Sequence, residues 1–311
     1  MHRFSVPDLG IRGHDPKVLA SQLEYLRRRR YHLMSVGELV SRLDDGAPLE
    51  ENALVFTVDD GYADFALVGA PVFAAYDCPV TVFLITDFVS GRLWNWFDRV
   101  EWAFAHSDRR GISMDLGGEK IQLRWADRMD GSRVSTEFIE RLKGVRDELK
   151  VELIHQLEES LDVTVPENTP EEYRAMTWGE VRACASQRVT FGPHTVTHPI
   201  LSRVDDRRAD TEIFESWRTV AASTQAAVPV FCYPNGTARD FSSREKASVA
   251  RAGMRAALST MSGSLESSAG GIFSADRYAI PRFAYSENKH AFVQIASGLE
   301  ERKTQIRRRF D

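Results

Sequence analysis

The chain has 311 residues, 43% hydrophobic and 27% charged, with a net charge of −5 at pH 7. That length can bury a substantial core, as one large α/β domain or two smaller ones, and the acidic balance gives no reason to expect nucleic acid as a partner. The cysteines Cys78, Cys184 and Cys232 are odd in number and far apart, which excludes a disulfide framework or a CxxC zinc cluster and fits a reducing compartment.

In chain order, Asp15-Pro16 reads as an N-cap followed by proline at the first helical position, opening a helix with Leu19, Leu23 and Leu26 on one face. Arg27 to Arg30, like Arg307 to Arg309, reads as a solvated helix face or tail; the alternative is contact with an anionic surface or phosphorylated substrate. Ser35 with Glu38 predicts a capping box for a second helix. Ala53 to Val58 is a continuous apolar run, the pattern of a buried parallel strand, broken by Asp59-Asp60-Gly61. A helical pattern runs to about Tyr76, and Val80 to Thr86 predicts the next strand.

Residues 88–175 read differently: an aromatic helix (Trp94, Trp96, Phe97, Trp102, Phe104), a hairpin from Ile112 to Trp125 turning at Gly117-Gly118, and one long charged helix over about 136–161. The aromatics fit a core, or alternatively a surface that stacks on the rings or acyl chains of a ligand, and the same choice holds for Trp178. After residue 175 the alternation resumes. Thr177 with Glu180 and Ser242 with Glu245 are capping boxes; strands are predicted at Val189–Phe191, Val228–Cys232, Met254–Thr260 and Tyr278–Ile280; helices are predicted over 204–224 and from Lys289. Strand and helix in repeated order imply a parallel sheet covered by helices. Because chemistry-bearing residues lie on both sides of 88–175, that segment reads as an insertion within a single domain spanning 1–311.

Two stretches carry the chemistry. Thr57-Val58-Asp59-Asp60-Gly61-Tyr62 ends a predicted strand, at the edge where parallel α/β folds bind ligands, and its adjacent carboxylates call for a cation; alone, Asp-Asp-Gly is also an ordinary turn. Phe191-Gly192-Pro193-His194-Thr195-Val196-Thr197-His198-Pro199 places two histidines four apart, on one side of a helical turn, where they can share a metal ion. One carboxylate and two imidazoles leave coordination positions open for water and substrate, and the spare carboxylate can act as general base.

These motifs resemble those of the polysaccharide deacetylases with a NodB-homology domain, carbohydrate esterase family 4. Thr57 to Gly61 is similar to the family's T-F-D-D-G, and His194 to Pro199 matches H-[ST]-x-x-H-P. The resemblance implies a distorted (β/α) barrel, here with a mixed helix/hairpin insertion over 88–175, and metal-dependent removal of an N-acyl group, most simply N-acetyl, from an amino sugar. It implies that Asp60, His194 and His198 hold a divalent metal, usually Zn2+, that Asp59 is the base, and that Tyr62, Tyr233 and Pro234 contact substrate.

The third motif departs. Where the family commonly has R-x-P-[YF], this chain has Phe231-Cys232-Tyr233-Pro234-Asn235-Gly236, a Y-P-x-G form. Cys232 stands where an arginine would orient the base, and Arg282, in Ile280-Pro281-Arg282-Phe283, is the substitute, unless it is a surface arginine at a strand end. Asn235 stands where a backbone N–H would donate to the developing oxyanion. No late L-x-H motif supplies a general acid; His290, His2 and metal-bound water are the alternatives.

Met1-His2-Arg3-Phe4 carries no signal-like apolar run and no later segment is long enough to span a bilayer, so the cytoplasm is expected. The competing readings are a small-molecule amidohydrolase on the same scaffold, a non-catalytic metal-containing carbohydrate-binding protein, and a non-haem iron oxygenase, whose usual all-β setting the strand–helix alternation opposes.

Overall fold

The computed structural model describes residues 1–50, 52–265 and 276–300; Arg307 to Arg309 lie outside them. Helix α1 (Pro16–Arg28) starts where Asp15 Oδ1 accepts from Lys17 N at 2.8 Å, and it buries Leu19, Leu23 and Leu26. The run Arg27 to Arg30 is exposed at its end, where Arg27 donates to Tyr76 O and Arg28 pairs with Glu24. Strand β1 (His32–Met34) leads into α2 (Val36–Asp45). Only half of the expected capping box forms there: Ser35 Oγ accepts from Glu38 N, while the Glu38 carboxylate faces His32 and Arg42.

Next come β2 (Ala53–Val58), a short π-helical turn, α3 (Ala70–Ala75), β3 (Val80–Leu84) and α4 (Thr86–Val89). Strand β3 is buried at every residue, whereas β2 is only partly so, since it lies nearer the sheet edge. The chain then leaves the sheet through α5 (Trp96–His106), a hairpin of β4 (Gly111–Leu116) and β5 (Glu119–Arg124), α6 (Arg128–Leu142) and α7 (Asp147–Leu161). Gly117 and Gly118 both have positive φ, as a two-residue hairpin turn demands.

The charged stretch expected as one helix over 136–161 is two helices. Gly144 interrupts it, and Arg146 adopts an extended conformation before α7. Packing gives the reason. Phe138 and Leu142 of α6 and Leu153, Leu157 and Leu161 of α7 all enter one apolar cluster with Val100, Phe104 and the hairpin's Ile112 and Ile121. A single straight helix of that length, about 1.5 Å per residue, could not bring both halves onto α5. Trp94 and Trp102 belong to this cluster, which is distinct from the one beneath the sheet.

The chain returns through α8 (Trp178–Ala185), capped by the full Thr177–Glu180 box, to β6 (Val189–Pro193) and α9 (Asp206–Ser223). Trp178 packs at the edge of the core under the sheet, its Nε1 donating to Ser90 Oγ. Strand β7 (Val230–Cys232), α10 (Ser243–Arg251) with the full Ser242–Glu245 box, β8 (Ala256–Leu258) and α11 (Lys289–Ala296) complete the described chain. Tyr278–Ile280, expected as a closing strand, contributes one bridge, Leu258 to Ile280.

All ladders of the main sheet are parallel, in the order β1-β2-β3-β6. A bridge from Phe191 to Ala227 carries the curl on to the parallel pair β7-β8. Gly192 makes this curvature possible: a Cβ there would lie 2.6 Å from the Phe83 ring and 2.7 Å from Val230 O. The result is the expected distorted (β/α) barrel, with the ends of β2, β6 and β7 on one rim. No helix of the described residues is long and apolar enough to cross a membrane.

Candidate metal centre

Asp59 and Asp60 leave β2 side by side, yet their carboxylates have different partners. Asp60 is in the left-handed region (φ 75°) and Gly61 follows at φ 89°, its Cα so close to Leu84 that a Cβ would sit 2.7 Å from that side chain. Asp59 meets Arg282, whose Nη1 lies 2.9 Å from Oδ1 and Nη2 3.0 Å from Oδ2. The guanidinium is in turn held by Ser259 O, Thr57 Oγ1 and Cys232 Sγ. Cys232, which occupies the arginine position of the third motif, therefore touches the arginine that comes from elsewhere in the chain. Burial disfavours the Asp59 anion, but the charge and hydrogen bonds of Arg282 more than offset it, so the carboxyl stays well below its usual range.

Asp60 turns to the histidines. Its Oδ1 lies 3.6 Å from His194 Nε2 and 3.6 Å from His198 Nε2, and the two Nε2 atoms are 3.3 Å apart. Ligand atoms around a tetrahedral metal with bonds of about 2.0–2.2 Å are separated by about 3.4 Å, so the three atoms fit one divalent ion. Their chemistry fits too. His194 Nδ1 donates to Cys232 O at 2.7 Å, which leaves the Nε2 lone pair facing Asp60. Burial keeps both imidazoles neutral, with His194 adding to the effect at His198. Burial and the neighbouring negative charges of Asp59 and Asp98 push the Asp60 carboxyl well up, a penalty that a cation would remove. A second cluster, Asp59, His194 and Cys232, fits less well: both Asp59 oxygens are taken by Arg282, and burial holds Cys232 as the thiol.

The histidine spacing does not arise from a helical turn, as expected from four-residue separation. His194 directly follows β6 and residues 195–199 form an irregular loop, with Thr195 at φ 69° and His198 at φ 59°. The left-handed residues bend the chain so that the two rings converge at 4.9 Å.

The centre lies in a cleft of about 940 Å³ whose lining includes Trp96, Phe97, Tyr233 and Asn235. Tyr62 and Tyr233 also line it, but their hydroxyls are engaged, by Asp98 at 2.7 Å and by Tyr278 O at 3.0 Å. Pro234 is buried and is not among the lining residues. Asn235 has a positive φ of 58°; its amide side chain donates to Asp240, and its backbone N–H has no acceptor among the described residues. His2 lines the cleft with Nε2 3.9 Å from Asp59 Oδ2, whereas His290 sits exposed on α11, away from it.

Three features escaped sequence reasoning. Asp98, inside the aromatic helix α5, is buried in the cleft wall and pushed up to about 7, chiefly by burial. Glu212 of α9 is buried beneath the histidine loop. Asp147 and Lys150 of α7 form a buried pair, with Lys150 Nζ 4.6 Å from the Trp96 ring centre. Each is a charge on an otherwise apolar helix face, which is the signal that could have revealed it.

A family model described as polysaccharide deacetylase matches residues 158–257, which contain both histidines and the Tyr233-Pro234-Asn235-Gly236 motif. No curated protein matches the chain. Among solved structures, Streptococcus pyogenes deacetylase PplD in complex with acetate is 15% identical, with a TM-score of 0.60 and 95% of each chain covered. A de-N-acetylase from Aggregatibacter actinomycetemcomitans is 13% identical (TM-score 0.55, covering 95% of this chain and 97% of that one). IcaB from Ammonifex degensii is also 13% identical (TM-score 0.53, 92% and 89%). At such identities these likenesses bear on the fold, which is the barrel described above. The segment that matches the polysaccharide deacetylase model supplies two of the three converging side chains, His194 and His198.

Proposed function

We propose that the protein is a metal-dependent hydrolase that removes an N-acetyl group from an amino sugar in a glycan, glycolipid or nucleotide-sugar intermediate. The observation that carries this reading is the juxtaposition of the Asp60, His194 and His198 triad with the Arg282-bound Asp59 on the floor of one cleft. Two nitrogens and one carboxylate oxygen are a donor set suited to zinc. A metal bound there would acidify a water and polarise an amide carbonyl.

The chain's own residues divide the remaining work. Asp59 takes the proton of the attacking water, and Arg282 fixes its orientation and keeps it ionised. The free Asn235 N–H donates to the carbonyl oxygen as negative charge develops there. His2, close to Asp59 and within the cleft, passes a proton towards the departing amine. Tyr62 and Tyr233, almost fully buried, shape the cleft wall behind the sugar rather than presenting hydroxyls to it. The chain 1–311 works as one domain, in which the 88–175 segment forms a wall of the cleft through Trp96 and Phe97. Three buried, unpaired cysteines suit a reducing, cytoplasmic setting.

The test is acetate or acyl release across a panel of N-acetylglucosamine oligomers, UDP-N-acetylhexosamines, lipid-linked analogues and simple acyl or cyclic amides. Release confined to N-acetylhexosamine compounds supports the reading. Turnover of simple amides alone would replace it with a small-molecule amidohydrolase.

A further inference from the structure

We infer that Glu212 is the positioning residue for His198, gripping the loop that carries this histidine and tying it through Arg208 to the 88–175 segment; the inference rests on the metal site proposed above. The loop needs an external hold. Between His194 and Pro199 there is no helix or strand, and Thr195 and His198 both occupy the left-handed region. For non-glycine residues such conformations cost on the order of 1–3 kcal/mol each and persist only where the surroundings impose them.

Glu212 supplies that hold. One of its oxygens, Oε2, accepts from Val196 N and Thr197 N, both at 2.8 Å, and Oε1 accepts from Thr197 Oγ1 at 2.6 Å. Three donors from the two residues just before His198 thus end on a single carboxylate that is only 3% exposed. A fourth contact inside the loop, His198 N to Thr195 Oγ1 at 3.0 Å, continues the chain of bonds to the histidine. Glu212 shares the buried face of α9 with Ala209, Ile213 and Ser216, where an apolar side chain would pack without the cost of a buried charge.

The counter-charge comes from one turn earlier on α9 and reaches across to α7. Arg208 Nε lies 3.3 Å from Glu212 Oε1, and its Nη2 reaches Thr197 Oγ1 at 3.2 Å and Asp147 Oδ2 at 3.4 Å. Asp147 pairs with Lys150, which lies over Trp96, and the adjacent Phe97 packs edge-on against His198 with ring centres 5.5 Å apart. The second metal-binding histidine is therefore held from α9 on one side and from α5 and α7 on the other. Loss of a partner behind a metal ligand commonly weakens binding by about 10- to 100-fold.

The experiment is a zinc titration of chelator-stripped full-length protein against a competing chromophoric chelator, paired with the visible spectrum of the cobalt form. Glu212→Ala should bind Zn2+ about 10- to 100-fold more weakly and alter the cobalt spectrum, with near-ultraviolet circular dichroism unchanged. Glu212→Gln, which keeps an amide oxygen for the two N–H groups, should recover part of the affinity. Glu245→Ala, removing a buried carboxylate that caps α10 and bonds Ser242 and Arg244 rather than the histidine loop, should lower Tm but leave zinc affinity alone. A folded Glu212→Ala with wild-type zinc affinity and cobalt spectrum overturns the inference. If that variant does not fold, wild-type affinity in both Glu212→Gln and Arg208→Ala overturns it equally. Failure of the wild-type protein to bind zinc would instead bring down the metal site itself, and this inference with it.

Discussion

Arg282 holds Asp59 by both carboxylate oxygens, at 2.9 and 3.0 Å, although the two residues stand 223 positions apart. Asp59 is buried and Arg282 half-buried, and Cys232 completes the surround with its sulfur 3.1 Å from the guanidinium. An arginine can make this two-point contact because its donors are planar and forked; a lysine cannot.

Replacing Arg282 should therefore slow hydrolysis and move its pH dependence together. In Arg282→Lys and Arg282→Ala, kcat/KM should fall by about 100-fold or more, the usual scale of a general base's contribution. The direction on the pH axis follows from charge. Arg282 holds the Asp59 carboxyl below its ordinary range, so removing it raises that pKa, and the acid-side decline in rate moves to higher pH. Profiles of kcat/KM from pH 4 to 8 check this; an unshifted acid limb would contradict the assigned partnership.

Metal removal offers a separate readout. Dialysis against a strong chelator should abolish hydrolysis, and added Zn2+ should restore it. Zinc should also raise Tm, because a ligand present at 100 times its Kd stabilises the folded state by about 2.7 kcal/mol. His198→Ala should lose most of that thermal shift. An equal shift in the variant would place the bound ion elsewhere.

Asp98 predicts a stability effect with a defined sign. Burial lifts its carboxyl to about 7 in the folded protein from an ordinary 3.8. The folded state thus keeps a proton that the unfolded chain releases, and Asp98's contribution to stability declines as pH rises from about 4 to about 7. Asp98→Asn can still accept the Tyr62 hydroxyl and carries no charge. Its stability relative to wild type should therefore climb by a few kcal/mol across that window and level off above it. Chemical denaturation at pH 4.5, 6 and 8 measures the difference, and a constant gap would show that Asp98 stays at its ordinary value.

Much of the fold could be read from the sequence because burial and periodicity leave clear marks. The Val80–Leu84 run, apolar at almost every position, is a strand buried throughout, and the full boxes at Thr177 and Ser242 open helices where expected. Elsewhere the pattern was blind. Charged spacing continues unbroken across Gly144, so the fold-back of α6 onto α7 is visible only when Phe138 and Leu157 are seen to share a cluster. The closing strand shrank to one bridge at Ile280, since three residues give too short a run to distinguish a ladder from an extended loop.

The site shows the same division. Asp59, Asp60, His194 and His198 stand in short motifs after strands, and the structure brings all four to one rim. The route by which the histidines converge is not legible in the sequence, because a spacing of four suits a helical turn and a strained loop alike. Positive φ at Thr195 and His198 is disfavoured by their own side chains, so nothing local announces it. Glu212, which binds the loop from 16 residues away in sequence, carries no motif at all.

The central claim is that Asp59 acts on substrate beside a metal held by Asp60, His194 and His198. The most direct measurement is acetate release from N-acetylglucosamine oligomers by zinc-loaded wild type and Asp59→Asn, with metal content determined on both samples. The account predicts zinc in both proteins and acetate release in the wild type alone. Equal acetate release by the two, with zinc bound, would contradict it.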